Sequence, residues 1–208
     1  MKNLSRGGRI VGLLALVLLF SGCSSWQQDV FDSGFEQPRE PLAQWRVQGR
    51  VGIRAEGQAE SANIFWRLQG DDYNLRLSGP FGAGTVIIEG DAEHVVLKQR
   101  NQPDVSAVDA EALLLRHTGW QLPVSSMVYW LQGLASPELP VDDSRRLVVE
   151  ADTENTVMQD LPLAMLQQGD WHIEFQRYSR IESTVLPSKV VITHPSLRIT
   201  LIVSQWQL

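Results

Sequence analysis

The first 23 residues constrain this chain more than any other stretch. Lys2, Arg6 and Arg9 give it a basic start, Ile10 to Phe20 is apolar apart from Gly12, and Ser21-Gly22 leads to Cys23, the one cysteine present. Eleven residues of helix reach about 16 Å at 1.5 Å per residue, well short of a hydrocarbon core about 30 Å thick. A basic start, a short apolar run and small residues therefore predict a secretory signal and not a membrane span. What remains after its removal, 208 − 22 = 186 residues, is enough for one domain with a substantial core.

The cysteine behind the small residues is similar to the lipobox of bacterial lipoproteins, with Phe20 where Leu is usual. That likeness implies a lipoprotein signal peptide over 1–22, an acylated (palmitate-bearing) Cys23 as the new N-terminus, and, through Ser24, the outer membrane as destination. The alternative is an ordinary cleaved signal followed by a chance cysteine. Residues 23–41 are polar, interrupted by Gly34, Pro38 and Pro41. They suit a tether, or an N-terminal helix placing Val30, Phe31 and Phe35 against the domain at 42–208. Without the first 22 residues the charge is (18 − 3) − 24 = −9. A surface this acidic argues against nucleic acid and against broad electrostatic binding to anionic lipid, leaving the acyl chains as the attachment. One cysteine leaves no internal disulfide, so burial must hold the core together.

From Trp45 the pattern has period two. Trp45, Val47, Gly49, Val51 and Ile53 alternate with Arg46, Gln48, Arg50 and Arg54, which predicts a strand with one apolar and one wet face. Ala62 to Leu68, Tyr73 to Leu77, Val86 to Ile88 and Val95 to Leu97 continue it, with Glu89-Gly90-Asp91 read as a turn. Close strands joined by short polar turns pair antiparallel as a meander. Two helices interrupt this. Ala110 to Thr118 is predicted between an Asp109 cap and Gly119. Pro123 opens a second, whose face Val124, Met127, Val128, Trp130, Leu131 and Leu134 runs until Pro137 and Pro140 close it. Strands resume at Arg146–Glu150, Leu163–Gln168, Trp171–Gln176, Lys189–Thr193 and Leu197–Val203. The expected fold is mainly β, a strongly curved antiparallel sheet of about ten or eleven strands with helices over its concave side, since a sheet this wide tends to curl.

Catalytic and metal-binding patterns are missing from the sequence. His94, His117, His172 and His194 are scattered, without HExxH spacing, and there is no GxSxG elbow or Gly-rich phosphate loop. Asp71-Asp72 and Asp142-Asp143 read as solvated turns. The expectation is a protein that is not an enzyme, with no metal and no cofactor. One stretch stands out: Gly79-Pro80-Phe81-Gly82 centres a large aromatic in a turn. Burying Phe is worth about 1.5–3 kcal/mol. Phe81 therefore either folds back on the end of the sheet or serves as an apolar tip for a membrane or partner.

Several short stretches, in order, resemble the LolB family of outer-membrane lipoprotein receptors in the lipoprotein-localisation pathway. They are Trp45-Arg46-Val47-Gln48-Gly49-Arg50, Phe65-Trp66, Tyr73-Asn74-Leu75-Arg76-Leu77, Gly79-Pro80-Phe81-Gly82, Trp130-Leu131-Gln132-Gly133-Leu134, Trp171-His172-Ile173, Leu186-Pro187 and Trp206. The resemblance implies a half-barrel with a helical lid over an apolar cavity. It also implies a monomer at the outer membrane that accepts lipoproteins from a soluble periplasmic carrier and inserts them without ATP. Gly79, Pro80, Phe81 and Gly82 match the family's membrane-insertion loop. Trp66, Leu75, Leu77, Trp130 and Trp171 are acyl-chain cavity residues by pattern only. The alternative is a structural outer-membrane lipoprotein, its interior filled by its own side chains, acting as an assembly partner.

Overall fold

The computed structural model describes residues 40–55, 57–82, 84–91, 93–119, 121–147 and 161–208, without the side chains of Phe81 and Thr118. The signal peptide, Cys23 and nearly all of the tether lie outside them.

The alternation in the sequence becomes one eleven-stranded sheet. Its first half comprises β1 (Gln44–Ala55), β2 (Gln58–Gln69), β3 (Asp72–Ser78), β4 (Val86–Gly90), β5 (Val95–Gln99) and β6 (Val105–Ala107). Two helices follow, α1 (Ala110–Thr118) and α2 (Val124–Trp130), and then β7 (Asp143–Arg146), β8 (Leu163–Gln168), β9 (Trp171–Ile181), β10 (Thr184–His194) and β11 (Leu197–Gln207). The strand order is β6-β5-β4-β3-β2-β1-β11-β10-β9-β8-β7, and every neighbouring pair is antiparallel. The sheet is thus two meanders joined where the first and last strands meet. Its edges are the short β6 and the charged β7 (Asp-Ser-Arg-Arg), a length and composition that discourage pairing with other chains.

The join carries a bend. The β1–β11 register shifts between Gln48 and Gly49, leaving Ser204 extra, and Ser204 Oγ donates to the Gln48 carbonyl at 3.0 Å. A bulge of this kind bends the strand and increases its twist. Gly49 permits it: a Cβ there would sit 2.0 Å from the Ile202 carbonyl oxygen.

The segment from α1 to α2 runs from one edge of the sheet to the other, and its apolar residues go to a single face. Leu113, Leu114, Val124, Met127, Trp130 and Leu131 join the same buried cluster as Val47, Trp66, Ile88, Leu97, Ile173 and Ile192. The helices therefore cover the concave side. Asp109 caps α1 by accepting from the Ala112 N–H at 2.6 Å, and Gly119 ends it at φ 76°.

Several expectations need correction. The second helix ends at Trp130, and Leu131 and Leu134 are carried by a turn in which Gly133 has φ 77°. Glu89 and Gly90 are still in β4, paired with Asn74 and Tyr73; the turn is Asp91 to His94, where Asp91 Oδ1 accepts the N–H groups of Glu93 and His94 at 2.8 Å each. The strand expected from Arg146 to Glu150 is instead β7, ending at Arg146, with 148–150 outside the described residues. Finally, β6 is a strand that three residues of sequence did not reveal.

Candidate functional site

Among the described residues the concave face gathers the buried apolar side chains, and its aromatic residues fall into two groups. In the first, Trp45 of β1 meets Trp66 of β2 edge-on at 5.5 Å between ring centroids and Trp206 of β11 at 5.7 Å. Trp66 lies directly opposite Leu75, and both are buried. Leu77, two residues further along β3, is half-buried opposite Ile64 and Val86. The second group comes from α2 and β9. Trp130 is fully buried, Trp171 is half-buried, and their rings are 5.8 Å apart, with His194 stacked at 4.7 Å on the other side of Trp171. All five residues singled out from the pattern therefore lie on or against this face.

The indole N–H groups separate the four deeply buried tryptophans. Trp130 Nε1 donates to Gln168 Oε1 at 2.8 Å and Trp206 Nε1 to the Pro187 carbonyl at 3.1 Å. Trp45 Nε1 and Trp66 Nε1 are buried with no hydrogen-bond partner among the described residues. An unpaired buried donor costs about 1–3 kcal/mol, so the first group holds two donors that an acceptor inside the sheet would satisfy.

The helices are held differently. Gln168 on β8, completely buried, accepts from Trp130 Nε1 and the Ser136 N–H (2.9 Å), and its amide donates to the carbonyls of Ser136 (2.9 Å) and Leu139 (2.7 Å). Gln132 accepts from the Leu42 N–H at 2.7 Å and donates to the Val128 carbonyl at 2.9 Å, tying the start of the domain to α2. Helix α1 rests on the sheet directly. Its main contacts are with β5, β6 and α2, and its polar link is Glu111. Glu111 Oε1 accepts from Ser125 N–H at 2.7 Å and lies 2.8 Å from Ser125 Oγ. That carboxylate caps α2, whose Pro123 makes no side-chain cap.

Among the described residues the acidic and basic side chains stay at the margin. The buried polar side chains are Ser126, Gln132, Ser136 and Gln168, none of which carries charge. Tyr73, at the open side of β3, has its phenol pushed up to about 12, first by burial and then by the carboxylates of Glu111, Asp109 and Asp91. Burial also pushes the Tyr178 phenol up, and its hydroxyl donates to the Leu163 carbonyl at 2.6 Å. Among the described residues no cluster of His, Cys, Asp or Glu is placed to hold a metal ion. Such a face offers apolar area and dispersion, with two indole donors left unpaired among the described residues.

The expected insertion loop is a single 3-10 turn, Pro80–Gly82, closed by the Gly82 N–H to the Gly79 carbonyl at 3.1 Å and braced by Thr85 Oγ1 to the Gly82 carbonyl at 2.9 Å. The Phe81 side chain and Cys23 lie outside the described residues. Sequence reasoning passed over Trp45 and Trp206 as site residues, although the alternation that selects Trp66 selects Trp45 too. Gln168 and Glu111 gave no signal, because nothing local marks a polar residue that will bond across the fold, and Gln132 stood out only as part of a matching stretch.

The family model for the outer membrane lipoprotein LolB matches residues 43–206. The chain is 32% identical over 201 residues to the outer-membrane lipoprotein LolB of Pseudomonas putida (strain GB-1), covering 92% of each chain. It is 35% identical over 202 residues to that of Chromohalobacter salexigens, covering 94% of this chain and 88% of the relative. Among solved structures, a LolA superfamily protein from Nitrosomonas europaea superposes with a TM-score of 0.51 at 8% identity, covering 82% of this chain and 88% of that one. At that identity the likeness concerns the fold alone.

Proposed function

The chain belongs to the LolB family of outer membrane lipoproteins, and from that premise we propose that it receives acylated lipoproteins from a soluble carrier and passes them to the outer membrane. In this reading the acyl chains lie between the concave face and the helices, with Trp66, Leu75, Leu77, Trp130 and Trp171 against them. The unpaired indole N–H groups of Trp45 and Trp66 would meet the carbonyls at the head of the chains. Cys23 carries the anchor, and Phe81 on its turn enters the bilayer as cargo leaves.

The observation that supports the proposal is an apolar concave face covered by two helices, α1 resting on β5 and β6 and α2 tied to β8 through Gln168. Taking cargo in means lifting α1, which exposes Leu113 and Leu114 at about 1.5–3 kcal/mol each. A dozen methylenes kept out of water are worth about 10 kcal/mol at 0.8 each, and a transfer that holds them dry from carrier to concave face to bilayer never meets that cost and needs no ATP to offset it.

Transfer from carrier to the vesicle-anchored chain tests this. Acylated peptide should move and its unacylated twin should not; equal movement would refute it. Phe81→Glu should fold and accept cargo but release it slowly into the vesicles. The near-complete burial of the concave face by the protein's own side chains favours a second reading, an assembly partner with a permanently filled interior. An apolar fluorescent probe separates them, since a permanently filled interior would take up none at low concentration.

A further inference from the structure

The side of the sheet facing away from the helices carries a charge that the composition conceals. On β1 the outward residues are Arg46, Gln48, Arg50, Gly52 and Arg54, opposite in direction to buried Trp45, Val47, Val51, Ile53 and Ala55. Register puts Arg67 directly across from Arg46, and Arg198 directly across from Arg54. Arg76 lies across from Phe65, itself across from Gln48. Six of the 18 − 3 = 15 basic residues that follow the signal segment thus share one face over four adjacent strands, and all six are exposed. At 3.3 Å per residue and about 4.8 Å per strand, the patch is roughly 26 Å by 14 Å.

By register Asp72, Glu89 and Glu174 share that face, but none of them pairs with these arginines among the described residues. Arg46 bonds Gln207 Oε1 at 3.0 Å and lies over the Phe65 ring at 5.9 Å, and Arg198 bonds Thr193 Oγ1 at 3.3 Å. None of the six makes an ion pair among the described residues. Glu60 borders the same depression as Arg54 and Arg198 without pairing, and by register its side chain belongs to the other face, across from Ile53. On β4, Glu89 is already held by Lys98 at 2.7 Å and Asn74 at 2.8 Å. Like charges directly opposite one another destabilise a sheet, and Arg46–Arg67 and Arg54–Arg198 are two such pairs. The six arginines outnumber the three acids of that face, and setting two pairs of them directly opposite one another does not favour folding. The net charge of −9, read alone, points away from anionic lipid; the segregation of that charge reverses the expectation for this face.

We infer that the arginine face of β1, β2, β3 and β11 lies on the anionic headgroups of the membrane that holds the anchor, and so sets the domain's orientation there. From Cys23 to Glu40 the chain spans 17 residues, at most about 60 Å, so an anchored domain never leaves the surface layer. Within it, contact inside a Debye length of about 8 Å is enough for attraction. Exposed Ile202, across from Arg50, adds an apolar contact among the charges. The patch ends beside Ser78, two residues before the Pro80–Gly82 turn, so a domain lying on this face brings that turn to the headgroups. The inference needs only the anchored location and stands apart from the acyl-chain proposal.

The test is phenylglyoxal labelling of the full acylated chain, read by mass spectrometry, on vesicles of phosphatidylcholine alone and of phosphatidylcholine with phosphatidylglycerol. Each basic residue at an anionic surface is worth about fivefold (about 1 kcal/mol). Labelling of Arg50, Arg67 and Arg76 should fall at least about fivefold on the anionic vesicles and recover in about 1 M salt, while Arg116 and Arg145 label alike on both. Equal labelling of the patch on the two vesicles would overturn the inference. So would protection that appears only when an acidic protein is added, on neutral vesicles as on anionic ones, since the face would then be a protein dock. Arg50→Glu with Arg67→Glu should keep its melting temperature and lose lipid-dependent protection at Arg76 and Arg198. Persistent protection there would equally refute it.

Discussion

Replacing Gln168 by Leu keeps the volume of the side chain and removes four hydrogen bonds at once. The Trp130 N–H, the Ser136 N–H and the Ser136 carbonyl lose their partner in fully buried surroundings, and the Leu139 carbonyl loses it in partly buried ones. Each orphaned group costs about 1–3 kcal/mol, and relaxation recovers part of that, so a loss of about 4 kcal/mol is expected. Against a total stability of about 5–15 kcal/mol this is a large share. With a urea slope near 2 kcal/mol/M the unfolding midpoint should fall by about 2 M. Tryptophan fluorescence follows the transition, and exchange of the Trp130 indole proton reports the site. Gln168→Glu sharpens the test, because a carboxylate can still accept from Trp130 and Ser136 but faces the two carbonyls with no proton. It should be at least as damaging at neutral pH and partly recover in acid. A midpoint lowered by less than about 0.5 M, or an indole proton that exchanges no faster, would refute the claim that this amide fastens α2 to the sheet.

Gly49→Ala should cost about 3 kcal/mol, the upper end for overpacking, since its Cβ meets the Ile202 carbonyl oxygen at 2.0 Å. Gly52→Ala, whose Cβ would be 3.9 Å from the nearest atom, should be nearly silent in the same urea melts. Glu111→Ala removes the cap on α2 and should cost about 1 kcal/mol, with faster amide exchange at Ser125 and unchanged exchange on β1. Tyr73 is neutral in the fold up to about pH 12 but ionises near 10 once unfolded. Its contribution is therefore complete below pH 10 and lost as the pH rises toward 12, and Tyr73→Phe should flatten that part of the stability profile.

Where one face of a strand is apolar, the sequence was easy to read. The alternation from Trp45 to Ile53 locates β1 and its buried side, and Asp109 with Gly119 brackets α1 at both ends. Three features escaped for separate physical reasons. Leu131 and Leu134 keep helical spacing although the helix ends at Trp130, because burial selects apolar residues in a packed turn as well as in a helix. In β6, three residues are too few to display a period. Gln168 alternates as a wet strand residue would, and only the arrival of the chain behind α2 makes it the most bonded polar side chain in the core. Trp66 and Leu75 were found because hydrophobic pattern and burial coincide there. The arginine face was equally visible as alternation, but net charge, being a sum, erased it.

The meeting of β1 with β11 has a consequence in time. Trp45 and Trp206 touch across 161 positions of sequence, and the two meanders share no other strand pairing. Loop closure over that distance comes late, so this is a slow, high-contact-order topology. Until Leu197–Gln207 is available, β1 is an open edge and its tryptophan has no stacking partner on that side. A chain emerging from its N-terminus cannot close its sheet before its final dozen residues appear, and it stays pliable for as long as it is being threaded across a membrane.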